Sequence, residues 1–130
     1  MTTNPTAMRP LRVLVADDNP LNLRLAARLL RDMGHSGVLV TDGHKALEAL
    51  QAQRFDVVLM DVTMPGMDGT EALALLRQRE AGLRYTPVIM VTAYDMPEDR
   101  RRLLEAGADG YVAKPLDGQR LAAELARVVK

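Results

Sequence analysis

The chain has 130 residues, 48% of them hydrophobic, which is the length and apolar content of one globular domain. Seventeen basic residues balance 17 acidic ones, so no strongly basic surface is on offer to a nucleic-acid backbone, and the absence of cysteine excludes disulfide scaffolds, thiol chemistry and cysteine-bound zinc. Residues 1–10 are polar with no apolar signal-type run, and no stretch is apolar for long enough to span a bilayer, so a cytoplasmic protein with a disordered N-terminal tail and no direct membrane contact is expected.

After Pro10, short apolar runs alternate with amphipathic stretches, with Gly, Pro, Asn or Asp at the changeovers, which is the pattern of repeated βα units. The first strand is predicted at 12–16, "RVLVA". Asn19 then offers an N-cap and Pro20 a first helical position to a helix whose core stripe is Leu25, Ala26, Leu29, Leu30 and Met33, ended by Gly34. A second strand at 37–41 leads to a helix from about His44 to Gln53 that buries Ala46, Leu47 and Leu50. The third strand, 57–60, is followed by an irregular loop and a helix from about Gly69 built on Ala72, Leu73 and Leu76. The fourth strand, 88–92, precedes a charge-rich helix from about Pro97 to Ala106, and the fifth, 110–113, precedes a helix with Leu121, Leu125 and Val128 at helical spacing.

The near-continuous apolarity of these strands implies burial on both faces, as in a parallel sheet covered by helices. Five such units fit an open doubly wound sheet rather than a closed (β/α)8 barrel, which needs about 250 residues. Ligands of such sheets sit beyond the carboxyl ends of the strands, where the winding order reverses. The residues that follow each strand therefore carry the functional reading.

Strand one ends in "ADDN", strand three in "MDVTMPG", strand four in "VTAY" and strand five in "VAKPL". Asp17, Asp18 and Asp61 would then be close neighbours, and two full charges about 4 Å apart repel by roughly 4 kcal/mol near a protein surface. Oxygen ligands without His or Cys select a hard cation, and a small carboxylate cluster completed by water and a phosphate is characteristic of Mg²⁺. Lys114 and the Thr92 hydroxyl are natural donors to an oxyanion beside that metal. An anion site of this kind points to phosphoryl chemistry, in which a carboxylate can itself be the acceptor. Asp61, alone after the central strand, is the best candidate, while the adjacent Asp17 and Asp18 are better placed to hold metal. Each acid also has a plainer reading, as a turn former or helix cap, and by residue type alone Thr92 and Tyr111 are ordinary strand residues.

"LVADDN", "VVLMDVTMPGMDG", "VTAYD" and "GYVAKP", in this order from Leu11 to Val129, resemble the receiver domain of two-component response regulators. The resemblance implies a receiver domain over 11–130 with a (βα)5 flavodoxin-like fold, strand order 2-1-3-4-5. It implies that Asp61 takes a phosphoryl group from a phosphohistidine on a histidine kinase or histidine phosphotransfer protein. Asp18, Asp61 and the backbone carbonyl of Thr63 would bind Mg²⁺ directly, with Asp17 acting mainly through water. Lys114 would pair with the phosphoryl oxygens, and Thr92 would move to bond them, helped by the N–H of Ala93. Tyr111 matches the family's switch aromatic, and the Lys114–Pro115 bond is expected to be cis. Thr63 and Tyr94 occupy variable positions that tune the lifetime of the phosphoryl group.

Such a chain is a switch rather than an enzyme in the usual sense, taking a chemical part only in its own phosphorylation and dephosphorylation. "DDNPLNLRLAARLLRDMGH" and "DGHKALEAL" are most similar to receivers of hybrid histidine kinases or phosphorelays, where Leu21 and Leu23 could form an apolar docking patch. Nothing follows the fifth helix, so output is expected from a downstream partner protein or a larger chain, through the surface of the fourth helix, fifth strand and fifth helix. His35 and His44 read as loop and surface residues, "EDRRR" as a solvated helix face, and the eight methionines mostly as core filler. Two other classes share the sheet. A phosphatase of the haloacid dehalogenase type needs a second acid two residues after its nucleophile, where this chain has Thr63. A flavodoxin-like electron carrier needs a Gly-, Ser- and Thr-rich phosphate loop where "DDNP" stands.

Overall fold

The computed structural model describes residues 9–80, 84–93 and 96–129; most of the expected N-terminal tail, and Tyr94, lie outside them. Five βα units follow one another: β1 (Arg12–Ala16), α1 (Pro20–Asp32), β2 (Ser36–Val40), α2 (Gly43–Ala52), β3 (Val57–Asp61), α3 (Gly69–Arg79), β4 (Val88–Thr92), α4 (Pro97–Glu105), β5 (Gly110–Ala113) and α5 (Gly118–Val128). The strands pair in parallel in the order β2-β1-β3-β4-β5, the flavodoxin-like arrangement expected from the sequence.

Alternation of side chains along each strand divides the apolar residues between two cores. Val13, Val15, Leu59, Ile89 and Val91 meet Leu23, Ala26 and Leu30 of α1 and Leu121 and Leu125 of α5. Leu14, Val58, Met60 and Met90 face the other way, against Ala46 and Leu47 of α2, Leu73 and Leu76 of α3 and Leu103 of α4. Each large side chain fully buried in this way contributes about 1.5–3 kcal/mol of transfer free energy. The double-sided cover anchors β1 and β3, whose ends carry the acids, and β4, which ends in Thr92.

The helix starts follow their local chemistry. The Asn19 side chain accepts hydrogen bonds from the N–H groups of Leu21 (2.8 Å) and Asn22 (3.4 Å), with Pro20 at the first helical position as expected. Asp42, Asp68 and Asp117 cap α2, α3 and α5, the second through a reciprocal box with Glu71. These caps leave Asp18 and Asp61 free of that duty, so the capping reading of the strand-end acids does not apply to them.

Three expectations need correction. No residue of β2 is buried, because β2 is an edge strand with β1 as its single neighbour and Gly37 brings no side chain to cover it. Leu23 is 8% exposed and packs in the core under α1, because its position faces the sheet; Leu21, 70% exposed, is left as the apolar residue on that helix's outer surface. His35 is a buried residue rather than a loop side chain in solvent: its Nδ1 accepts the Leu11 N–H at 3.0 Å and so ties the start of β1 to the turn before β2. Among the described methionines Met60, Met64 and Met90 are buried as expected, while Met96 is exposed. No helix among the described residues is long and apolar enough to cross a membrane.

Candidate functional site

The winding order reverses between β1 and β3, and the register of these strands pairs Ala16 with Met60. Asp17 and Asp61 are therefore adjacent by construction. On the other side Asp61 pairs with Val91 and Thr92 pairs with Ala113, which brings Thr92 and Lys114 to the same edge. The four sequence-predicted strand ends thus converge, and the reason is parallel pairing alone.

Asp17 and Asp61 are buried, at 5% and 3% exposure, while Asp18 is exposed. One carboxylate oxygen from each of the three lies within 4.8 Å of the others. The Lys114 ammonium stands 2.9 Å from Asp61 Oδ2 and 3.9 Å from Asp17 Oδ2. Asp61 Oδ1 also accepts the Thr63 N–H at 3.3 Å, and Asp17 Oδ1 accepts the Asn19 N–H at 2.9 Å. Burial pushes the Asp61 carboxyl above its ordinary range; the Lys114 contact pulls it back, the Asp17 charge adds to the rise, and burial prevails. Three carboxylates facing one ammonium leave the pocket with excess negative charge. The donors are all oxygen, so the cluster suits a hard divalent cation and not a soft one.

The loop after β3 is shaped around Asp61. Gly66 has φ +77°, a conformation that glycine adopts without strain. A Cβ on Gly69 would fall on the carbonyl oxygen of Asp61, and the Gly69 N–H bonds back to the Val62 carbonyl at 2.8 Å. Only a glycine lets α3 begin so close to the end of β3. Gly43 meets the same loop, its Cβ position lying 2.9 Å from the Met67 carbonyl oxygen.

Thr92 is buried as the last residue of β4, and its carbonyl accepts the Lys114 N–H at 2.8 Å; Ala93 next to it is exposed. The Lys114–Pro115 bond is cis, as expected. Tyr111 is half-buried, its N–H donates to Glu124 Oε2 at 2.9 Å, and the Arg100 guanidinium stands 5.2 Å from its ring centroid. Arg100 is therefore not merely part of a solvated run, although Arg101 and Arg102 are exposed. Reasoning from sequence placed a helix start at Gly69 but missed its close approach to the Asp61 carbonyl, and it missed Glu124. The first leaves a trace, a glycine at a helix start in an otherwise good helix former; the second leaves none, because a single Glu on α5 does not announce which strand it meets.

Residues 13–126 match the model of the response regulator receiver domain, and the chain belongs to this family, the receiver domain of two-component signalling systems. Among its relatives, the sensor protein GacS of Pseudomonas syringae pv. syringae is 45% identical over 120 residues, covering 91% of this chain and 13% of that protein. The receiver domain of the sensor histidine kinase PA1611 from Pseudomonas aeruginosa PAO1, solved with a magnesium ion coordinated in its active site cleft, is similar with a TM-score of 0.82 and 36% identity over 92% of this chain and 98% of that one. The chemotaxis response regulator CheY4 of Vibrio cholerae gives a TM-score of 0.83 at 33% identity, covering 93% of this chain and all of that one. The chain thus matches whole receivers end to end and about an eighth of a sensor kinase. Family membership sets aside the dehalogenase-type phosphatase and the flavin carrier.

Proposed function

We propose that residues 11–130 form a phosphorylatable switch in which Asp61 accepts a phosphoryl group from a phosphohistidine, in a phosphorelay of the kind served by hybrid histidine kinases. The observation that carries this reading is the Asp17, Asp18 and Asp61 cluster held against a single Lys114 at the reversal point of the sheet. A carboxylate oxygen of Asp61 attacks phosphorus, the phosphorus–nitrogen bond of the donor breaks, and its electron pair leaves with the imidazole of the partner.

Asp18, Asp61 and the Thr63 carbonyl would hold Mg²⁺, with Asp17 acting through water. The ion would supply charge neutralisation to the oxygens of the transferring group. Lys114, already in contact with Asp61, would move its hydrogen bond to a phosphoryl oxygen. Thr92 would then turn its hydroxyl to another, and the half-buried Tyr111 would follow, so that the new acceptors on Asp61 favour one of two arrangements of the neighbouring loops. The donor would be a histidine kinase or histidine phosphotransfer protein, with the exposed Leu21 as part of its docking surface. Output would pass to a downstream protein through the surface of α4, β5 and α5, with no direct contact to nucleic acid or membrane.

Intact mass after incubation with acetyl phosphate tests the proposal. One phosphoryl addition that needs Mg²⁺ and disappears in Asp61→Asn is expected. Addition that persists in Asp61→Asn would move the acceptor elsewhere.

A further inference from the structure

Away from the carboxylate edge, the molecule carries a cavity of about 480 Å³ between the C-terminal ends of α2 and α3. Its volume lies within the range of small-molecule sites. Leu47, Leu50, Phe55 and Leu76 supply an apolar wall. Arg54, Arg79 and Arg84 also line it, all three exposed and basic. Glu80, the one acid in the lining among the described residues, is already engaged: its carboxylate meets the Arg77 guanidinium at 2.6 Å and accepts the Thr86 N–H at 2.7 Å. Arg84 acts electrostatically on Asp56, whereas the side chains of Arg54 and Arg79 make no ion pair or hydrogen bond with any described residue.

We infer that this cavity binds a small amphipathic anion, with an apolar body against Leu47, Leu50, Phe55 and Leu76 and its charged head between Arg54 and Arg79. The apolar wall gains from excluding water, and it lowers the dielectric next to the two guanidiniums, so an anionic head there is held more strongly than on an open surface. A neutral apolar molecule would leave both cations unpaired. A hydrophilic anion would leave the wall wet. The site makes no use of the acids at the opposite edge.

The probe is 8-anilinonaphthalene-1-sulfonate, an apolar body of a naphthalene and a phenyl ring with one sulfonate, titrated by fluorescence into the folded full chain. Its neutral analogue N-phenyl-1-naphthylamine is titrated in parallel, and amide shifts locate the bound probe. Saturable 1:1 binding is expected, with shifts at Gln51, Arg54, Phe55 and Arg79. The neutral analogue and the Arg54→Gln/Arg79→Gln variant are each expected to bind about tenfold more weakly, equivalent to about 1.4 kcal/mol per comparison. These exposed substitutions leave the apolar wall intact, and an unchanged thermal midpoint verifies the fold of the variant. Absence of saturable binding, shifts confined to another face, or equal binding of the charged and neutral probes would each overturn the proposal. So would undiminished binding to the double variant.

Discussion

The two ends of the sheet treat their acids in opposite ways. At the N-terminal ends of the strands, each of several acceptor side chains is matched to a backbone N–H that begins a strand or the approach to one. His35 takes the N–H of Leu11, Asp56 that of Arg12, Glu80 that of Thr86, and Asp109 that of Val88. Arg77 sits in the middle, donating to Asp109 at 2.9 Å, to Glu80, and to the carbonyls of Thr86 and Gly107, while the Tyr85 hydroxyl donates to the second Asp109 oxygen. Burial and that hydrogen bond push the Tyr85 hydroxyl up to about 12. At the C-terminal ends, Asp17 and Asp61 share the Lys114 ammonium, and the Asp18 side chain beside them makes no hydrogen bond or ion pair with a described residue. Acids that are fully bonded hold the fold. Acids left partly unsatisfied are available for chemistry, and their mutual repulsion is the cost.

That contrast is most strongly tested by removing its central cation. Arg77→Met leaves Glu80 and Asp109 partly buried without their partner, and a loss of about 3 kcal/mol is expected, the lower end for breaking a buried pair. Urea unfolding measures it, and the Asp61 edge should still accept a phosphoryl group when the variant is folded. A loss under half of that figure would mean that the backbone donors alone satisfy the two acids.

His35 tests the same end through pH. Burial lowers its affinity for a proton, partly offset by the Asp56 charge, and Nδ1 must stay unprotonated to accept the Leu11 N–H. The folded value lies below the ordinary His value of about 6.5, so the unfolded chain takes up the proton first as pH falls. The stabilisation is complete above that value and declines below it, until the folded value is passed. The thermal midpoint should therefore fall between pH 7.5 and about 5.5 more in the native chain than in His35→Gln. Parallel curves would remove His35 from the set of strand-start acceptors.

The smallest effect belongs to the other end, and its sign is reversed. Asp18→Asn relieves repulsion with Asp17 and Asp61, so without divalent cation it should stabilise the chain by about 0.5 kcal/mol at low salt, shrinking as ionic strength rises. The same substitution should weaken Mg²⁺ binding, read from the metal dependence of thermal stability. Destabilisation by Asp18→Asn in metal-free buffer would show that the acids are not in conflict.

Much of this was legible in the chain. Apolar runs of strand length separated by helical stripes gave the five units, and the residues after each run named Asp17, Asp18, Asp61, Thr92 and Lys114 as one group. That works because in a parallel sheet every strand ends on the same edge, so a one-dimensional pattern dictates a three-dimensional neighbourhood. The resemblance to receivers adds the proposal that Thr92 and Tyr111 take part in the switch, which their residue types could not supply.

Other features were hidden for a common reason. The exposure of β2, the burial of Leu23 and the bonding of His35 depend on which element lies alongside, and a local pattern is silent on that. Arg77 joins residues up to 32 positions away, and Gly69 is obligatory only because the carbonyl of Asp61 stands where its side chain would be. The sequence by itself determined the order of elements and the chemistry delivered to the strand ends, because periodicity and caps act over a few residues. Tertiary structure decided which acids are satisfied, which helix face is covered and where the arginine-lined cavity opens, because burial and pairing belong to residues that meet only when the chain is folded.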